Sequence, residues 1–173
     1  MRLVRFGGAI SLDGYIAGPA GEFDWIVQDP EMNYAEKMAP FDTFLVGRKT
    51  FEVMVRVGRT DFGPATQCVV CSTTLRPEDY PKVVVHADAE GAVRELRAKV
   101  GKDIALFGGG ELLRSLLAVD MVDRVEVSLI PILLGCGIPL LPAPAERTKL
   151  KLLTQRHYAK TGIMWLEYEV VKR

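Results

Sequence analysis

Apolar and polar positions along the chain recur with two alternating periods, and the changes of period divide it into elements. Residues 3–12, "LVRFGGAISL", form an apolar run interrupted by glycines, which predicts a buried strand. A Gly/Pro-rich loop follows at 13–25, then "PEMNYAEKM" predicts a short helix with Pro30 at its first position and acid in its first turn. "DTFLVG" predicts a strand, "RKTFEVM" a helix directly behind Gly47, and "TQCVVCS" and "KVVVHA" two more strands. Asp88 predicts an N-cap for "AEGAVRELRAKV", where Ala89, Val93, Leu96 and Val100 share a face, with Gly101 as terminator. "DIALF" predicts a strand, and "ELLRSLLA" a helix with Leu112, Leu113, Leu116 and Leu117 as its inner stripe. "VDRVEVSLI" alternates Val125, Val127 and Leu129 against Glu126, Ser128 and Ile130, the period of a half-buried strand. "PILLGCGIPLLPAPAERT" reads as a Gly/Pro-rich connection. The C-terminal segment reads as two strands around a turn at 160–162, with Met164, Leu166, Tyr168 and Val170 on one face of the second.

Strands alternating with short helices predict an α/β fold with a mainly parallel sheet covered on both faces, closed by an antiparallel hairpin. No repeat or linker interrupts the order, so one domain over 1–173 is expected. Ligands of such sheets bind beyond the carboxyl ends of the strands. With 22 Lys and Arg against 22 Asp and Glu, no net field draws the chain to nucleic acid or an anionic membrane. No apolar run approaches the ~20 residues of a membrane span, and the N-terminal stretch lacks an apolar leader core, so a cytoplasmic protein is expected. Three cysteines argue against a disulfide framework. Cys68 and Cys71 form a C-x-x-C, but in a strand residues three apart face opposite ways, which excludes a shared metal or a dithiol pair. No metal site is expected.

Candidate chemistry gathers at the turns. Gly108, Gly109 and Gly110 separate a strand from a helix, where unpaired N–H groups and the helix dipole favour an anion and glycine lets it approach. Glycines also serve simply to turn a corner. "FLVGRKTFE" repeats the construction, with Arg48, Lys49 and Thr50 opening the helix behind Gly47. Cations oppose the dipole at a helix N-terminus, so they make sense around a bound anion, or as a solvated surface pair. "CSTT" adds the hydroxyls of Ser72 and Thr73 at the end of a third strand. The G-x-G-x-x-G fingerprint is absent.

"VGRKTFE", "VVCSTT" and "LFGGGELLRSLL", in this order, resemble the cofactor side of the dihydrofolate reductase fold. "AISLDGYIA" and "IPILLGCGIPLL" resemble more closely the reductase domain of the bifunctional riboflavin-biosynthesis deaminase–reductase. The resemblance implies a dihydrofolate reductase-like three-layer fold, NADPH as cofactor, a small-molecule substrate and a homodimer. By the same resemblance Gly47, Arg48, Lys49 and Thr50 match the turn for the 2′-phosphate and diphosphate, with Ser72 and Thr73 on the adenosine side. Gly108, Gly109 and Gly110, followed by Glu111 and Leu112, match the diphosphate and nicotinamide-ribose turn, and Ala9 and Ile16 the nicotinamide walls. A carboxylate repels a diphosphate, so Glu111 is expected to turn toward ribose hydroxyls or toward Arg114. Asp13, in "SLDG", matches an aspartate beside the nicotinamide pocket and is the catalytic candidate; read alone, Asp-Gly is also a turn signal. The region of a dihydrofolate reductase's catalytic acid holds Asp24, Trp25, Asp29 and Glu31 at a different spacing. No H-x-E and P-C-x-x-C pair marks a zinc deaminase. The implied activity is reduction of 5-amino-6-(5-phosphoribosylamino)uracil; reduction of a pterin and a non-catalytic dinucleotide-binding module are the alternatives.

Overall fold

The first apolar run becomes β1 (Val4–Ser11), a central strand of an eight-stranded sheet. The structure is a computed structural model and describes residues 1–60, 63 and 66–172. After β1 come β2 (Tyr15–Ala17), α1 (Tyr34–Met38), β3 (Phe41–Gly47), α2 (Arg48–Arg56) and β4 (Gln67–Cys71). Then come β5 (Val84–His86), α3 (Ala89–Ala98), β6 (Asp103–Leu106), α4 (Gly110–Ala118) and β7 (Arg124–Ile130). β8 (Ile138–Pro139), β9 (Leu150–Tyr158) and β10 (Ile163–Val170) complete the chain. The sheet order is β5-β4-β3-β6-β1-β7-β10-β9. Every ladder from β5 to β7 is parallel, and the hairpin adds β10 and β9 antiparallel.

Side-chain alternation along each strand gives the sheet two different faces. Val4, Phe6, Leu45, Ile104 and Leu106 point to the side covered by α3 and α4, which contribute Val93, Leu96, Leu113 and Leu116. On the opposite face α2 lays Phe51 and Met54 over Val46, Cys68 and Val70. Farther across that face Met32, just before α1, packs on Ile130, Tyr158 and Ile163. Also on that side, Arg5 links four strands: it reaches Asp103 of β6 at 3.3 Å, Glu126 of β7 at 2.5 Å and Glu167 of β10 at 3.7 Å. Arg124 also pairs with the buried Glu167, so that carboxylate is compensated.

Several elements depart from the sequence expectation. Pro30 lies before α1, in a turn that Asp29 closes; the helix is capped instead by Asn33, whose side chain accepts from Glu36 N at 3.1 Å. Asp88 does cap α3, accepting from Glu90 N and Gly91 N at 3.1 and 2.8 Å. That helix stops at Ala98, however, and Val100 is fully exposed. Gly101 serves a packing need instead: a Cβ there would come 2.7 Å from Asp42 Oδ2 and 2.9 Å from Arg2 Cζ, whose ion pair occupies the space. β2 and β8 form a two-stranded antiparallel sheet within stretches that read as loops. Cys68 and Cys71 do face opposite ways, and burial pushes their thiols up to about 11 and about 12, keeping both protonated. Among the described residues no helix is long and apolar enough to cross a membrane, and no group of three His, Cys, Asp or Glu side chains could hold a metal.

Candidate active site

Two helices begin at glycine turns without a side-chain cap: α2 behind Gly47 and α4 behind Gly109. Their first N–H groups therefore remain open to a ligand. The turns are in direct contact, since Gly47 N donates to Gly108 O at 3.0 Å. Each glycine of the triplet has its own backbone reason. Gly108 adopts φ +107°, a region that favours glycine, and the Gly108–Gly109 peptide is cis. A Cβ on Gly109 would approach Thr50 Oγ1 to 3.2 Å. One on Gly110 would meet Leu140 O at 2.7 Å and Pro139 O at 2.9 Å, because the 139–142 segment packs onto the start of α4. The triplet is a corner whether or not it also holds a phosphate.

The opening beside it comes from the register of the sheet. β1 pairs with β6 only as far as Phe6↔Leu106, yet continues along β7 to Ser11↔Ile130. Beyond that point β6 swings away, with Phe107 N bonded to Leu45 O at 3.0 Å, into the glycine turn. Gly7, Gly8 and Ala9 thus lose a neighbouring strand on one side, and a cavity of about 1450 Å³ fills the split. Gly7 opens directly onto it, for a Cβ there would meet nothing within 4 Å. Phe23, Met38, Val57 and Phe107, each about two-fifths exposed, also line it. Apolar walls with a few polar groups describe a small-molecule site.

A family model described as the RibD C-terminal domain matches residues 2–163. The chain belongs to this family. The uncharacterized protein YyaP of Bacillus subtilis (strain 168) is 30% identical over 171 residues, covering 92% of this chain and 90% of YyaP. Among solved structures, a putative riboflavin biosynthesis protein from Shewanella sp. PV-4 superposes with a TM-score of 0.82 at 23% identity, covering 98% and 99% of the two chains. A diaminohydroxyphosphoribosylaminopyrimidine deaminase/5-amino-6-(5-phosphoribosylamino)uracil reductase from Thermotoga maritima superposes at 0.73 with 18% identity, over 98% of this chain and 57% of that one. The fold that the resemblance implied, with its parallel core, two helical layers and antiparallel hairpin, is the one observed.

In this RibD C-terminal domain the split gathers most of the residues singled out in the sequence. Ala9 and Ile16 line the cavity; so do Gly47, Arg48, Lys49 and Thr50, and Gly108 to Leu112 in sequence. Arg48 is paired with Glu52 at 2.7 Å across one helical turn, whereas Lys49 forms no ion pair among the described residues. Glu111 turns to Arg114, 2.7 Å away, one of the two partners the sequence offered it. Ser72 and Thr73 lie outside the lining. Ser72 Oγ accepts instead from Thr74 N and Leu75 N at 3.1 and 2.9 Å, an internal turn.

Asp13 is also outside the lining of this cavity. Its carboxylate accepts from Ser11 Oγ at 2.6 Å, Leu134 N at 3.1 Å and Gly135 N at 2.7 Å. The hydrogen bond from Ser11, with those from the Gly135 and Leu134 amides, holds its pKa below the ordinary value. A carboxylate so held ionised is a poor proton donor; it clips the end of β1 to the loop that leads into β8. Asp29 is likewise structural, accepting from Thr161 Oγ1 at 2.7 Å and Glu31 N at 2.8 Å. Gly7, Gly8, Asp24, Gln28 and Arg59 line the cavity without having been assigned a role in it. No short-range pattern marks them, because a strand split and a loop folded over it bring them together.

Proposed function

We propose that this protein is an NADPH-dependent reductase of a small heterocyclic compound, most like a 5-amino-6-(5-phosphoribosylamino)uracil reductase. One observation carries the reading: two uncapped helix N-termini, with Arg48 and Lys49, converge on a cavity that runs through a split in the sheet. The donor set fits a dinucleotide with a 2′-phosphate. Arg48, Lys49 and Thr50 supply two cations and a hydroxyl for that phosphate, and the amides behind Gly47 and Gly109 suit the diphosphate. Gly7, Gly8 and Ala9 offer a wall without bulky side chains for a flat ring, and Ile16 lines the same cavity. When bound, the cofactor supplies the hydride. The protein's part is to orient an acceptor against that ring, and the apolar walls exclude water around it. The Thermotoga protein's reductase function and the family membership support the same class of chemistry. A homodimer belongs to this reading.

Calorimetric titration with NADPH and with NADH tests it. Wild-type protein is expected to prefer NADPH, and Arg48→Ala to lose about tenfold of that affinity while NADH binding stays nearly unchanged. Equal loss for both cofactors would remove the 2′-phosphate assignment. Binding of neither by the wild type would remove the reductase reading itself.

A further inference from the structure

A second cavity, of about 330 Å³, lies away from the split, where the chain crosses from β8 to β9. Its body is apolar: Leu113 and Leu117 of α4, Val125 of β7, Leu141 from the crossing and Leu150 at its end. The helix α4 serves both cavities with different residues, since Leu112 and Ser115 line the split and Leu113 and Leu117 line this one. The crossing is tied at two points. Arg114 Nη1 donates to Pro144 O at 3.1 Å, and Val171 N donates to Lys149 O at 3.0 Å. Between those ties Glu146, Arg147 and Thr148 add polar groups to the lining. Glu146 has a partner of its own. The exposed Arg147 and the half-buried Thr148 form no side-chain hydrogen bond or ion pair among the described residues.

An apolar body with two adjacent unengaged donors matches an amphipathic anion. An alkyl chain displaces water from the leucines, and a carboxylate accepts from a guanidinium and a hydroxyl. The volume is at the small end for ligand sites, which suits a chain of moderate length. We propose that this cavity is a second binding site, for a medium-chain alkyl carboxylate. The chain lies among Leu113, Leu117 and Leu141, and the carboxylate accepts from Arg147 and Thr148. The site stands apart from the reductase reading, since none of the described residues lines both cavities.

The test is calorimetric titration of the full chain with octanoate, butyrate and octylammonium, with saturating NADPH and again without it. Octanoate is expected to bind at least tenfold more tightly than butyrate, through its four further methylenes. It is expected to bind about tenfold more tightly than octylammonium, which has a similar chain and the opposite charge. Arg147→Gln is expected to bring octanoate and octylammonium within about threefold. Its melting temperature should match the wild type, because the guanidinium has no protein partner to lose. Equal affinity of the wild type for the two charged probes would overturn the proposal, as would a preference that survives in Arg147→Gln. Displacement of octanoate by NADPH would place the chain in the split and equally overturn it. So would failure of octanoate to bind; if Arg147→Gln then also lowered the sedimenting mass, the cavity would belong to a contact with a second copy. Should NADPH itself not bind, the cofactor reading fails, and the titrations without it still decide for or against this site.

Discussion

Gly7 separates two explanations that usually coincide for a glycine. It lies in a strand, away from positive φ, and a Cβ on it would touch no protein atom within 4 Å. Gly7→Ala is therefore expected to leave the fold intact. It should raise thermal stability slightly, by about 0.5 kcal/mol, through the narrower unfolded ensemble. The same methyl would protrude into the cavity where a flat ring is proposed to lie, so NADPH affinity should fall about tenfold. Calorimetry and a melting curve on one variant check both signs, and unchanged affinity would move the ring away from β1. The glycine triplet behaves otherwise, because Gly110 is needed by the backbone of the 139–142 segment. The sequence showed three glycines at a corner. It did not show that one answers to φ, one to Thr50 and one to a distant loop, since those neighbours are contributed by other parts of the chain.

Among elements, α1 was legible in existence but not in extent. Its five residues are none of them buried, so local propensity and the Asn33 cap decide its start rather than packing. Its Lys37 is held over the Trp165 ring at 4.4 Å, and desolvation there lowers the ammonium to about 8, against an opposing pull from Glu126 and with a push from Arg156. A lysine with a folded pKa below its unfolded one leaves the unfolded chain with more bound protons between about pH 8 and 10. Stability from this group is accordingly lower below that window and rises as pH climbs through it. The gain is of the order of 1 kcal/mol once solvent screening of a half-exposed group is allowed for. Urea midpoints from pH 7 to 10 on wild type and Lys37→Met check this: the difference between them should change across the window. Parallel midpoints would show that Lys37 titrates normally. β2 and β8 were not legible at all, because two- and three-residue strands carry no periodicity and exist only through pairing with each other.

Over the whole molecule, the sheet ends on a long unpaired edge. β9 exposes all of its nine residues except Tyr158, including Leu150, Leu152 and Leu153, each more than two-fifths exposed. Such an edge invites pairing with another chain, and it is where the proposed homodimer would form. Sedimentation is expected to give twice the 19.1 kDa chain mass, and Leu152→Lys to bring it to one. A wild-type protein of single mass would remove the dimer from the reading. Apart from β2 and β8, the order of strands and helices, the parallel core, the hairpin and the two glycine turns were decided by the sequence alone. Those features depend on periodicity and on residues a few positions apart. The cavity was decided only by tertiary structure. It exists because β1 outruns β6 and a loop from residues 23–28 folds over the split, bringing Gly7, Asp24 and Arg59 together with the turns at Gly47 and Gly109. Asp13 and Ser72 lie outside the cavity lining for the same reason. Hydrogen bonds across a loop or within a turn, invisible in spacing, had already engaged the groups that their types made available.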